Sequence, residues 1–195
     1  GRYVADVAYF IGEDVPKMTG TCDPPLPKGY SFDYINGDVI LNHSKVVDGK
    51  LILDSGMSYN LLVLPKQTTM RPQILERIHQ FVEQGLTIVG PRPQQSPSMQ
   101  DYPNADNKVR NLASQIWNDT GKCGNGRVYN DGTPIETILR NQSIEPDFSY
   151  TGQASLEFIH RTLNDEGDIY FISNQEDSIR TANLSFRTSK WTCAE

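Results

Sequence analysis

The sequence predicts an α/β fold with a doubly wound, mostly parallel sheet, followed by β-strands without helices. Short apolar runs in 59–65 and 86–89 flank a segment with helical periodicity, which gives the order strand, crossover helix, strand. Apolar strands of this kind are covered on both faces by helices and are joined right-handedly as parallel neighbours. Three later strand-like runs follow one another without an intervening helix.

The first half of the chain begins with a buried strand, VADVAYFI in 4–11, which stops at Gly12. Four prolines within 16–27 prevent a helix from following at once. Apolar residues at helical spacing predict a short helix within 32–41. The pair Asp48–Gly49 in VVDGKLIL predicts a two-residue hairpin turn, because both residues tolerate positive φ angles.

The clearest helical pattern begins with Pro72 near its first position and stops at Gly85. Its apolar face consists of Ile74, Leu75, Ile78, Phe81 and Val82. A second helix is expected over 104–119. A third, short helix is expected after a capping box that starts at Thr133, with proline at the first helical position.

The pattern changes near Pro146, which predicts two domains. Residues 1–147 form the α/β domain. Residues 148–195 hold the runs LEFIHRTL, DIYFISN and ANLSFRT and start a β-sandwich or an extra sheet. Because both ends of the sequence are abrupt, we expect it to be a piece of a longer protein.

Composition excludes several classes of function. The formal net charge is −6 with both signs interspersed, so we expect no nucleic-acid partner. No run of 18 apolar residues predicts a membrane span. The three cysteines are far apart and odd in number, which predicts neither a disulfide framework nor a metal site. No glycine-rich dinucleotide motif follows the first strand, and we expect no cofactor.

The stretch LTIVGPRPQQSP ends a strand at the edge where α/β enzymes mount a nucleophile, but it offers no Cys, Ser or Asp there. Arg92 is its one reactive cation. Glu13 and Asp14 follow the first strand and are expected at the same edge as Lys66 and Arg92. We therefore predict no catalytic residue, and we regard Glu13, Asp14 and Arg92 as candidates for contacts with another domain or with the rim of a ligand site.

Two further residues are candidates for the same kind of contact. His160 and Arg161 lie together in a strand-like run, where they are positioned to meet a neighbouring domain. Cys123 is flanked by glycines in GKCGNG without a histidine at a readable distance, which favours a loop cysteine over a nucleophile.

Five segments in this order resemble the region that follows the catalytic barrel in family 106 glycoside hydrolases, the α-L-rhamnosidases and related large bacterial proteins. They are ADVAYFIGEDVP, PLPKGYSFDYINGDVIL, VVDGKLILDSGMSYNLLVLP, ILERIHQFVEQGLTIVGPRPQQSPSMQDYPNADNKVRNLASQIW and FIHRTLNDEGDIYFISN. The resemblance implies a flavodoxin-like or class I glutamine amidotransferase-like module, similar to the trimerisation domain of some β-galactosidases. A β-sandwich follows this module in the family.

The resemblance also implies that the catalytic glutamates and the calcium of the family lie on the barrel, before Gly1. The chain is then a non-catalytic accessory domain of a secreted enzyme, periplasmic or extracellular, that degrades plant or bacterial polysaccharide. Its partners are the barrel and the sandwich of the same polypeptide.

Two other functions stay open at this point. One is a carbohydrate-binding module, for which Tyr30, Tyr102, Trp117 and Tyr129 are aromatic candidates. The other is a stand-alone amidotransferase-like hydrolase that uses Cys123.

Overall fold

The structure is a computed structural model that describes residues 1–13, 22–163 and 167–188. In chain order its elements are β1 (Arg2–Tyr3), β2 (Val7–Phe10), β3 (Phe32–Ile35), α1 (Gly37–Asn42), β4 (Ser44–Val47), β5 (Lys50–Leu53), β6 (Ser58–Tyr59), β7 (Leu61–Val63), α2 (Pro72–Glu83), β8 (Thr87–Val89), α3 (Asn104–Ile116), β9 (Lys122–Cys123), β10 (Gly126–Tyr129), α4 (Ile135–Asn141), β11 (Phe148–Thr151), β12 (Leu156–Thr162), β13 (Asp168–Asn174) and β14 (Asn183–Phe186). No helix among the described residues is long and apolar enough to cross a bilayer.

A six-stranded sheet in the order β3-β2-β7-β8-β10-β9 forms the centre. The first five of these strands are parallel, and β9 runs antiparallel to β10. Numbered along the chain, the parallel strands lie in the order 2-1-3-4-5, one of the two common orders of doubly wound sheets.

Helices cover both faces of this sheet because side chains alternate along each strand. Ala8, Leu62 and Ile88 pack in one buried cluster with residues of α1, α2 and α3. Val7 and Leu61 point to the opposite face, where they pack against α4. Strands β2 and β7 are therefore apolar and buried on both faces, as the sequence predicted.

The helix α2 was predicted with its complete buried face. The hairpin turn is also confirmed, with φ angles of 51° at Asp48 and 75° at Gly49. The helix predicted within 32–41 is wrong in its first half, because Phe32–Ile35 pairs in parallel with β2. Helix α1 starts only after Asn36, whose side chain accepts a hydrogen bond from the Val39 amide at 3.0 Å.

The predicted capping box is wrong in its geometry, although the helix exists. The Thr133 hydroxyl donates to the Asn130 carbonyl at 2.8 Å, so it closes the preceding turn. Pro134 occupies the N-cap position of α4 without a side-chain hydrogen bond. The helix is stabilised instead by the apolar side chains that it buries.

The strands after α4 belong to two small antiparallel sheets, β12-β13 with β1 at its edge, and β11-β14. Aromatic rings pack between them: the Phe148 ring lies 5.0 Å from that of Phe158 and 5.6 Å from that of Phe186. Strand β1 pairs with β12, so the first residues of the chain extend a sheet made by the last third. The chain thus crosses twice between its two parts.

Candidate functional site

The carboxyl end of β8 is filled by packed groups. Gly90 has a φ of 154°, and a Cβ atom placed on it would lie 2.6 Å from the Cβ of Leu64. The indole Nε1 of Trp117 donates to the Gly90 carbonyl at 3.0 Å. This edge therefore leaves no room for an elbow that presents a nucleophile.

The loop after β8 is fixed by backbone hydrogen bonds. The Gln94 amide donates to the Thr68 carbonyl at 2.8 Å, and the Met70 amide donates to the Gln95 carbonyl at 3.1 Å. The Ser96 amide donates to Asp106 at 2.9 Å. Arg92 is exposed within this loop.

Glu13 binds the start of α2. Its carboxylate accepts a hydrogen bond from the Arg71 amide at 2.9 Å and pairs with the guanidinium of the same residue. Lys66, expected beside Glu13, instead contacts Asp23 at 2.6 Å. Asp14 lies outside the described residues. Glu13 therefore stabilises the start of α2 through both contacts with Arg71.

Cys123 is unsuited to act as a nucleophile. It is 8% exposed, and burial together with the charge of Glu83 raises the pKa of its thiol. A raised thiol pKa leaves little thiolate at neutral pH. No group of three or more His, Cys, Asp or Glu side chains suited to a metal ion occurs in the part of the chain that the structure describes.

The four aromatic candidates do not form an exposed platform. Trp117 is 8% exposed, and the Tyr30 hydroxyl donates to the Ile144 carbonyl at 2.9 Å. Tyr129 is partly buried against the face covered by α4. Tyr102 alone among the four is well exposed, at 60%.

The most concentrated polar chemistry lies where the α/β part meets the C-terminal strands. His160 of β12 is buried, and its Nδ1 lies 2.9 Å from Oδ2 of Asp147. Its Nε2 lies 3.1 Å from Oδ1 of Asp168, an ion-pair contact without hydrogen-bond geometry. The Tyr170 ring stacks on the imidazole with centroids 4.0 Å apart, and its hydroxyl donates to Asp147 at 2.8 Å.

Arg187 joins this cluster to the central sheet. Its guanidinium donates to both carboxylate oxygens of Asp6, at 3.0 and 2.9 Å, and to the Glu145 carbonyl at 2.7 Å. Asp6 also accepts a hydrogen bond from the Asn60 side chain at 3.0 Å. We call Asp6, Asp147, His160, Asp168, Tyr170 and Arg187 the junction network.

The junction network shifts the pKa of its members. Burial alone would lower the pKa of His160, but the hydrogen bond to Asp147 and the charges of Asp147 and Asp168 outweigh it, so the pKa is raised. Burial raises the pKa of Asp6 against the opposing effect of Arg187. For Asp168, burial is outweighed by His160 and Thr188, and its pKa is lowered. The network therefore favours a protonated His160 between carboxylates.

The contacts of the junction network are those of a structural site, in which polar groups of the protein bind one another. Asp6 and Asp147 are 3% and 1% exposed, and their oxygens already accept hydrogen bonds from side chains of the protein. His160 was singled out from the sequence, and the structure places it at the centre of the network. Its neighbour Arg161 points the other way, is exposed and donates to the Gly1 carbonyl at 2.8 Å.

From the sequence we missed the other five members of the network, which are Asp6, Asp147, Asp168, Tyr170 and Arg187. Asp147 lies at the predicted domain boundary, and a buried carboxylate requires a partner. The position of Asp147 at this boundary was the one sequence feature that could have indicated the network.

The sequence model of the alpha-L-rhamnosidase family, family 106 of the glycoside hydrolases, matches residues 1–194. The chain therefore belongs to this family. A protein of Formosa agariphila named "Putative beta-glucuronidase" is 32% identical over 191 residues, which is 97% of this chain and 16% of that protein. The chain is also similar to the structure of a rhamnosidase from Novosphingobium sp. PP1Y, with a TM-score of 0.84 and 29% sequence identity. The match covers 96% of this chain and 18% of the rhamnosidase chain.

The chain thus spans about one sixth of the length of these two relatives, while almost all of it is matched.

Proposed function

We propose that the chain is a non-catalytic accessory domain of a larger, α-L-rhamnosidase-like glycoside hydrolase that acts in carbohydrate degradation. The observation that carries this proposal is the coverage: 97% and 96% of the chain match regions that make up 16% and 18% of the relatives. More than four fifths of each relative therefore lies outside the matched region and is available for a catalytic domain. In the α-L-rhamnosidases that the chain resembles, the region follows the catalytic barrel.

The buried carboxylates support a structural role. Glycosidases place two carboxyl groups on either side of the scissile bond, within a cleft that admits the sugar. Asp6 and Asp147 are buried and bound to Arg187, His160 and Tyr170. A sugar would have to displace these partners to reach either carboxylate.

The fold is best described as flavodoxin-like, and this description is part of the proposal. The strand order 2-1-3-4-5 supports it. In such sheets a ligand binds where the order reverses, here between β2 and β7. The Glu13 carboxylate, whose side chain is 9% exposed, follows β2 at that edge and pairs with Arg71, so this guanidinium is already engaged by a carboxylate of the protein.

We further propose that the domain packs against the catalytic barrel and the β-sandwich of the same polypeptide and holds them in place. A secreted enzyme, periplasmic or extracellular, fits the family. The junction network makes the domain suited to this role, because it ties the C-terminal strands to the central sheet through Arg187 and Asp6.

The test uses the longer polypeptide that contains this chain, with Asp147→Asn as the variant. We expect a lower temperature of inactivation and an unchanged kcat per folded molecule on an aryl α-L-rhamnoside at low temperature. The exposed Asp131→Asn is the matched control and changes neither quantity. A loss of kcat of about 100-fold or more without a change in unfolding would make Asp147 catalytic and overturn the proposal.

A further inference from the structure

The outer face of strands β12 and β13 carries exposed apolar side chains. Ile159, Ile169 and Phe171 are 49%, 51% and 65% exposed. Soluble proteins seldom expose a contiguous group of this kind without a partner for it.

The register places these side chains together on one face. Ile159 lies directly opposite Phe171, and Arg161 lies directly opposite Ile169. Directly opposed residues of antiparallel strands share a face, and so do residues two apart on one strand. We call Ile159, Arg161, Ile169 and Phe171 the outer patch.

The opposite face of the same strands is already covered. Phe158 packs on Phe148 of β11, and Tyr170 packs on Phe186 of β14 with ring centroids 4.7 Å apart. The outer patch is therefore the second apolar face of a sheet whose first face has a partner. A sheet with two apolar faces is expected when layers cover both.

The edge of this sheet points to the same conclusion. Among the described residues, β13 pairs with β12 on one side and with no strand on the other. It is seven residues long and contains no proline. Natural proteins shorten, charge or cover such edges, because their free amides and carbonyls pair readily with other strands.

We propose that the outer patch and the β13 edge form the surface on which a neighbouring domain of the same polypeptide docks through an apolar face. This inference rests on the proposed function. The occupant follows from the length of the relatives, of which this chain is about one sixth. The composition also fits an interface, since the aromatic ring of Phe171 lies at its centre and the charges of Glu157 and Arg161 lie at its rim.

The experiment compares hydrogen exchange in the 195-residue chain, after its cooperative unfolding has been verified, with exchange in the longer polypeptide. We expect the amides of Asp168–Asn174 to exchange at least about tenfold more slowly in the longer polypeptide. The double variant Ile169→Thr/Phe171→Thr keeps strand-favouring residues and removes the apolar surface. It should abolish this protection in the longer polypeptide and leave exchange in the 195-residue chain unchanged.

Val47→Thr is the matched control, because Val47 is a strand residue of similar exposure, 45%, on a different sheet. It should leave the protection intact. Equal exchange in both proteins would overturn the docking surface. A concentration-dependent dimer of the 195-residue chain that the double variant abolishes would also overturn it, in favour of a second copy as the occupant.

These outcomes are separate from those that test the proposed function. Catalysis by Asp147 refutes the accessory role whatever the exchange result. An unprotected β13 in an enzyme whose Asp147→Asn variant keeps its kcat refutes only the docking surface.

Discussion

The guanidinium of Arg187 donates hydrogen bonds to both carboxylate oxygens of Asp6, although 181 residues separate them along the chain. Asp6 immediately precedes the central strand β2, and Arg187 immediately follows β14, the last strand of the described residues. This contact joins the C-terminal strands to the α/β part at the start of β2 in the central sheet.

Asp6→Asn removes the charge of this pair while preserving the shape of the side chain. We expect the free energy of unfolding to fall by about 2 kcal/mol, because the half-buried Arg187 loses its bidentate partner and keeps only the more distant carboxylate of Asp147, at 3.7 Å. Urea unfolding measures this difference. The exposed Asp131→Asn should change the value by less than about 0.5 kcal/mol. Equal effects of the two variants would contradict a structural role for the junction network.

The stability of the chain should depend on pH through His160. Its pKa is raised above the ordinary 6.5 in the folded state, so the folded state holds the proton more tightly than the unfolded chain. The resulting stabilisation is complete below the unfolded pKa and is lost as the pH rises through the folded pKa. Asp147, Asp168 and Tyr170 contact the ring and stay in place in the comparison.

His160→Gln tests this dependence in urea titrations from about pH 6 to about pH 9. In the wild-type chain the free energy of unfolding should fall between these two pH values as His160 loses its proton. The variant should lack this fall. His43→Gln is the control: His43 is exposed and its pKa is raised by hydrogen bonding to Asp54, a pair that solvent screens. The explanation fails if His43→Gln flattens the profile and His160→Gln does not.

Gly90→Ala tests how tightly the end of β8 is filled. Two effects act together: the φ of 154°, which disfavours a side chain, and the 2.6 Å approach of a Cβ atom to Leu64. We expect a loss of about 3 kcal/mol. Gly132→Ala separates the two effects, since Gly132 also has a positive φ, 87°, but nothing within 4 Å of an added Cβ. It should cost only about 1 kcal/mol; similar losses would show that packing at Gly90 is unimportant.

Glu13→Ala removes the group that binds the start of α2. We expect a loss of about 1 kcal/mol, as for the removal of a helix cap, because the Arg71 amide loses its acceptor. Glu76→Ala is the comparison, since Glu76 pairs with Lys108 at the surface, where such pairs contribute less than about 0.5 kcal/mol. Thermal unfolding of both variants ranks them, and a larger effect at Glu76 would refute the capping role.

The elements that depend on local signals were predictable from the sequence. Helix α2 has a complete apolar face and Pro72 at its start, and Asp48–Gly49 tolerates the turn angles. The segment Phe32–Ile35 was wrongly predicted as helical, because its apolar spacing suits either structure and pairing with β2 decides between them.

The junction network was beyond local prediction for a different reason. Asp147 lies 13 positions from His160 and Asp6 lies 181 positions from Arg187 along the chain, and no spacing rule connects these partners. His160 attracted attention as a polar residue in an apolar strand, but only the fold shows that it faces Asp147 inward while Arg161 faces outward. The candidate surface on β12 and β13 likewise needs the register of the two strands, which the sequence does not specify.

We propose that this chain supports a larger glycoside hydrolase without performing its chemistry. The most direct measurement is the hydrolysis of an aryl α-L-rhamnoside by the purified 195-residue chain, once a cooperative unfolding transition has shown that it is folded. We expect no release of the aryl group above the rate in buffer. Turnover by the folded chain, reduced in the Asp6→Asn, Asp147→Asn or Cys123→Ser variant, would contradict it.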